Sequence, residues 1–112
     1  MKFDIRSEAE NTELIQLEGA LDFSSSPEMR RKLAELAEKK PLKVLIDMKK
    51  VGYIDSSGLA TFVELFQKMK RYNGKLVLFN LSQSVRNVFE VAKLETVFKL
   101  AATREEAFSL FA

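Results

Sequence analysis

The chain contains no histidine and no cysteine. These two absences exclude a Ser-His-Asp triad, a Cys-His pair, a His-ligated zinc and a phosphohistidine relay. They also leave no side chain of ordinary pKa near neutrality to serve as a general base. No G-x-G-x-x-G string and no P-loop occurs, so no familiar glycine-rich loop cradles a phosphate. No apolar run approaches the roughly 20 residues needed to span a bilayer. The N-terminal MKFDIRSEAEN lacks the long apolar region of a signal peptide. A cytoplasmic protein without membrane insertion is expected, and the missing cysteine agrees with it. Neither catalysis nor a metal or other cofactor is expected.

What is present describes an ordinary globule. The 112 residues are 46% hydrophobic and 30% charged, and residues 1–112 read as one domain. A chain of this size can bury roughly two-thirds of the surface it exposes when unfolded. The net charge is +2. The basic clusters Arg30-Arg31-Lys32, Lys39-Lys40 and Lys68 to Arg71 lie on or beside helices that also carry Glu. They read as solvated helix faces, and direct nucleic-acid binding is not expected.

Apolar periodicity orders the elements. Phe3 to Ser7 alternates like a half-buried strand, Glu10-Asn11 makes a turn, and Thr12 to Glu18 returns as a second strand. Gly19 to Phe23 reads as a loop. Ser25-Ser26-Pro27-Glu28 reads as a helix start with a Ser cap, carrying Met29, Leu33, Leu36 and Ala37; Lys39-Lys40-Pro41 closes it. Lys43 to Met48 is a strand of the kind covered on both faces, and Lys49 to Ile54 a connection. Leu59, Phe62, Val63, Phe66 and Met69 recur at helical spacing, and Asn73-Gly74 ends that helix with Gly free to take the left-handed cap. Leu76 to Phe79 is a strand. Ser82 and Ser84 offer caps for a helix bearing Val85, Val88, Phe89 and Ala92. Val97 to Leu100 is a short strand, and Thr103 to Glu106 is a capping box opening a last helix. The order β-β-α-β-α-β-α-β-α implies an α/β fold with a mixed, mostly parallel sheet, an N-terminal β-hairpin and helices after the later strands. Sites in such sheets lie at the carboxyl ends of the strands, here the loops 19–26, 49–58 and 80–84.

The second of these loops contains Asp55-Ser56-Ser57-Gly58. Asp55 or a Ser can cap a helix there, with Gly58 easing the turn. The same geometry can also carry a modification. A helix N-terminus has unpaired N–H groups and about half a positive charge, so it tolerates the −1.5 to −2 charge, roughly, of a phosphate. A nucleophile elbow does not fit, because no Gly lies two residues before Ser56 and there is no His to take its proton.

Val44-Leu45-Ile46-Asp47-Met48, then Tyr53-Ile54-Asp55-Ser56-Ser57-Gly58-Leu59-Ala60, resembles the core signature of STAS domains, in particular the stand-alone bacterial anti-sigma factor antagonists. Gly19-Ala20-Leu21-Asp22 resembles that family's G-x-L-D loop. The strand opening at Asn73 to Leu78 and the chain length fit too. Position 60 is Ala where the family often has Gly, a small and helix-favouring change.

The resemblance implies a phosphorylation-controlled partner switch. The unphosphorylated antagonist would bind an anti-sigma factor serine kinase with a histidine-kinase-like ATPase fold and so release a sigma factor. Phosphorylation at Ser56 would abolish binding, and a PP2C-type phosphatase would restore it. Asp22, Ser24, Asp55, Ser57, Gly58, Leu59 and Ser82 would belong to the partner-binding surface, with Ser57 also a candidate cap. The alternative within the same fold is a STAS interaction module of another pathway (secretion, biofilm, stress signalling or lipid transport) without sigma-factor output.

Overall fold

A computed structural model describes residues 1–111. The elements run β1 (Lys2–Ala9), β2 (Thr12–Leu21), α1 (Ser26–Glu38), β3 (Lys43–Ile54), α2 (Ser56–Lys70), β4 (Lys75–Phe79), α3 (Gln83–Val91), a 3-10 turn (Leu94–Thr96), β5 (Lys99–Ala101) and α4 (Arg104–Ser109). The strands form one five-stranded sheet in the order β1-β2-β3-β4-β5. β1 and β2 are antiparallel, and every later neighbour is parallel. This is the mixed α/β sheet with an N-terminal hairpin expected from the element order.

Successive parallel strands are added on the same side, so right-handed crossovers place their helices on one face. α1, α2 and α3 bury Met29, Leu33, Leu59, Phe62, Leu65, Val85 and Phe89 there against Ile15, Leu17, Val44, Ile46 and Leu78. The other face is covered by α4, whose Ala107 packs on Leu14, Leu45, Val77 and Phe79. β3 lies mid-sheet, and Leu45 and Ile46 are buried on opposite faces. Burial of that core supplies the main driving force, and truncating Phe62 to Ala would cost about 3–5 kcal/mol. Of the basic clusters, Arg30 pairs with Glu64 of α2, while Arg31 and Lys32 pair with Glu35 and Glu28 of their own helix.

Four local expectations are corrected. The stretch Lys49 to Ile54 is strand, not connection. Against β2, β3 carries extra residues between Asp47 and Lys50 and between Val51 and Tyr53. These bulges put Met48, Val51 and Ile54, three apart, on the same buried face. Residues 19–21 likewise complete β2 rather than opening a loop, with Gly19 at φ 111° and the Met1 backbone 3.4 Å from where a β-carbon would stand. At the end of α2 it is Asn73 that takes the left-handed conformation, at φ 65°. Gly74 is closely packed instead: a β-carbon there would lie 2.8 Å from the Tyr72 ring and 2.9 Å from Met69 Cε, so those side chains would have to shift. The last strand is displaced, because Leu94–Thr96 winds into the 3-10 turn and leaves Val97 outside the sheet.

Candidate functional site

The parallel pairing of β2 with β3 sets Leu21 opposite Ile54. The next residues, Asp22 and Asp55, therefore leave the sheet side by side. Two hydrogen bonds stitch the loops together: Asp55 N donates to Leu21 O at 3.1 Å, and Phe23 N donates to Asp55 Oδ2 at 3.2 Å.

Asp55 is the N-cap of α2. It holds extended backbone angles, and its Oδ1 accepts from Ser57 N at 2.9 Å and Gly58 N at 3.1 Å. The Ser57 hydroxyl donates to the same oxygen at 2.7 Å. That hydroxyl, with the N–H groups of Gly58, Ser57 and Phe23, holds the Asp55 carboxyl below the usual carboxylate range against the opposing effect of desolvation. Ser57 therefore steadies the cap and is not itself the cap. Gly58 sits inside α2, where a β-carbon would lie 2.5 Å from Leu21 O and 2.8 Å from Ile54 Cγ1. Its role is close approach of the helix to the strand ends, not the easing of a turn.

The Asp22 loop follows a different plan. Ser25 occupies the N-cap position of α1, yet its side chain caps nothing in the helix. Its hydroxyl turns back to donate to Ala20 O at 2.9 Å and to accept from Asp22 N at 3.0 Å, so the expected Ser cap is not formed. Asp22 Oδ1 accepts from the Ser24 hydroxyl at 2.6 Å and from the N–H groups of Ser24 and Ser25. The Ser24 hydroxyl leads in holding the Asp22 carboxyl below its usual range, against desolvation and the nearby charge of Asp55. Ser26, buried, donates to Asp22 O at 2.6 Å.

Ser56 differs from all of these. It is exposed at the first position of α2, and no hydrogen bond of its hydroxyl occurs among the described residues. Beside it runs a shallow apolar groove of about 330 Å³, lined by Ser56, Leu59, Asn87, Val88, Val91 and Ala92. Leu59 is nearly buried at its edge, whereas Val91 is 85% exposed. Phe23, on the Asp22 loop, is 78% exposed. Ser82, three residues beyond β4, caps α3 by accepting from Val85 N at 3.2 Å, and its hydroxyl lies 3.2 Å from that of Ser84. Asp22, Ser24, Asp55, Ser57 and Gly58 thus gather around one pair of loops. Leu59 opens the groove, and Ser82 stands at the start of α3.

Sequence reasoning did not name Phe23, Asn87, Val88, Val91 or Ala92 as surface. A signal existed for two of them. Val91 falls outside the buried Val85–Phe89 stripe of α3, and Phe23 is an aromatic set in a run of small polar residues. Among the described residues no group of three His, Cys, Asp or Glu side chains could hold a metal ion. None of their helices is long and apolar enough to cross a membrane.

A model of the STAS domain matches residues 6–107. The chain belongs to the STAS domain family. It is 35% identical over 96 residues to a Bacillus subtilis protein named anti-sigma-B factor antagonist, covering 86% of this chain and 87% of that one. Two solved structures of SpoIIAA share the fold. The unphosphorylated anti-sigma factor antagonist superposes with a TM-score of 0.74 at 22% identity, covering 98% of this STAS chain and 97% of that chain. The phosphorylated Bacillus form gives 0.76 at 23% identity, covering 99% and 100%.

Proposed function

We propose that this STAS domain is an anti-sigma factor antagonist that works as a phosphorylation-controlled switch, with Ser56 as the acceptor. The observation that carries the reading is the contrast between adjacent hydroxyls. That of Ser57 is committed to Asp55 at 2.7 Å. That of Ser56 is open, at a helix N-terminus and beside an apolar groove.

The physics follows from that placement. Unphosphorylated, the face offers Phe23, Leu59, Val88 and Val91 as apolar contacts around a small neutral hydroxyl, with Asp22, Asp55 and the serines as its polar rim. The partner is an anti-sigma factor kinase that brings its own nucleotide, metal and base, so the antagonist needs none. Transfer of a phosphoryl group to Ser56 Oγ adds about −1.5 to −2 charge, which the N-terminus of α2 tolerates. The fold is therefore kept while the surface changes. Docking would then bury a dianion against the apolar groove, at a cost of several kcal/mol unless the partner pairs it. Every 1.4 kcal/mol is about tenfold in affinity. A PP2C-type phosphatase resets the switch.

The test is intact mass after incubation with the cognate kinase and ATP. One phosphate is expected on the native chain and on Ser57→Ala, and none on Ser56→Ala. A phosphate on Ser57, or none from a kinase active on another substrate, would overturn the assignment.

A further inference from the structure

The two edges of the sheet are unequal. β5 offers three residues, whereas β1 offers eight, Lys2–Ala9, with nothing on its outer side among the described residues. An edge of that length is a template for pairing with another strand. Its side chains alternate from Lys2 to Ser7, and the pairing with β2 shifts by one residue between Ser7 and Ala9. Phe3, Ile5 and Ser7 line a cleft against Lys32, Glu35 and Leu36 of α1. Lys2 and Asp4 lie on the opposite face, beside Gln16 and Glu18. Alternation puts Arg6 there as well, and Glu8, within the register shift, reaches that face through its ion pair with Arg104 of α4. Ile5 is 42% exposed.

We propose that β1 pairs antiparallel with β1 of a second copy of this chain, about a two-fold axis through Ile5, joining two sheets into one of ten strands. The charge pattern of β1 fixes the register. A two-fold axis normal to the sheet keeps each face on its own side, so a residue can oppose only one of the same parity. Centred on Ile5, Lys2 opposes Glu8 of the second copy and Asp4 opposes Arg6. The two-fold repeats both pairs, and every charge on that face meets its opposite. Centred on Asp4 instead, Asp4 opposes itself and Lys2 opposes Arg6. Centred on Arg6, Arg6 opposes itself and Asp4 opposes Glu8. Opposite charges directly across a strand pair stabilise it and like charges destabilise it. The charge order K-D-R-E therefore selects one register and rejects its nearest slips. The selected register also sets Ile5 against Ile5, covering the exposed apolar side chain of that edge.

The ion pairs already present rank the contacts. Glu8 is held by Arg104 at 2.7 Å, and Lys2 reaches Glu18 at 3.4 Å. Asp4 and Arg6 are both more exposed than Glu8, lie on the regular part of the strand and are 3.9 Å apart, at the edge of pairing distance, so their cross-copy pairs carry the register. Because the second β1 runs antiparallel, the two strand-end faces point to opposite ends of the joined sheet. Both Ser56 hydroxyls stay open, and each copy can bind its own partner.

Analytical ultracentrifugation of the native chain tests this, from about 1 to about 500 μM. A reversible dimer is expected. Asp4→Arg should weaken it at least about tenfold, and adding Arg6→Asp to the same chain should restore it. In this cysteine-free chain, Ile5→Cys should form a disulfide-linked dimer on mild oxidation, while Ser7→Cys, opposite Phe3, should not. A native chain that stays monomeric throughout overturns the proposal. So does a dimer indifferent to Asp4→Arg that gives no cross-link through Ile5→Cys.

Discussion

The strand ends of β2 and β3 carry two loops built from the same materials and put to different use. Each begins with an aspartate whose carboxylate gathers backbone N–H groups and a serine hydroxyl. After Asp22, three hydroxyls are all spent inside the loop: Ser24 on the Asp22 side chain, Ser25 on Ala20 O and Ser26 on Asp22 O. After Asp55, one hydroxyl is spent, that of Ser57, and Ser56 is left facing outward. A serine whose hydroxyl is satisfied within the chain must give up that bond to become an acceptor. A serine without one gives up nothing. The first loop is therefore a brace, and the second is a brace that also leaves one hydroxyl open, the proposed phosphate acceptor.

Substitutions that separate brace from acceptor sharpen this contrast. The largest effect on stability should come from Gly58→Ala, because the added carbon meets Leu21 O at 2.5 Å. It forces α2 away from both loops at a cost of about 3 kcal/mol, measured by urea unfolding. A cost under half of that would mean the helix is not seated on the strand ends as described. Next comes Asp55→Ala, which removes a helix cap and the tie to Phe23 together and should lower the thermal midpoint by about 5 °C. Asp22→Ala removes no helix cap and should lower it less. Equal losses would erase the distinction between the loops.

The acid side of the stability curve gives a gentler probe. Both carboxyls are held below their usual range. A depressed native pKa contributes stability that is fully present above the unfolded value, about pH 4, and is lost as pH falls through the native value. The deficit of Asp55→Asn relative to the native chain should therefore be constant near neutrality and shrink below about pH 4. A deficit that grows on acidification would contradict the hydrogen-bonding described. The smallest effect belongs to Ser57→Ala, which removes one half-buried hydrogen bond and should cost about 0.5–1 kcal/mol while leaving Ser56 open.

Much of this was legible in advance, for reasons that can be named. Asp55 before two serines and a glycine announces a helix start, because only a short side-chain oxygen reaches the second and third N–H groups. Leu14 and Ile15 are adjacent and both apolar because β2 is buried on both faces. The strand that continues to Ile54 was hidden because its two bulges replace the two-residue alternation with three-residue steps. Ser25 misled because its hydroxyl had a second option, Ala20 O, that only tertiary structure supplies. Gly58 is conspicuous in the string, but a glycine kept for closeness and one kept for a turn look alike in sequence. The groove beside Ser56 needs two helices in register, and that follows from packing, not from either helix alone.

One phosphate on Ser56 is expected to change what binds while leaving the fold as it is. Calorimetry with the cognate anti-sigma factor tests this most directly, comparing the unmodified chain with one carrying phosphoserine at position 56. The phosphorylated chain should unfold at the same temperature and bind at least about 100-fold more weakly. Equal affinity of the two forms would contradict the account.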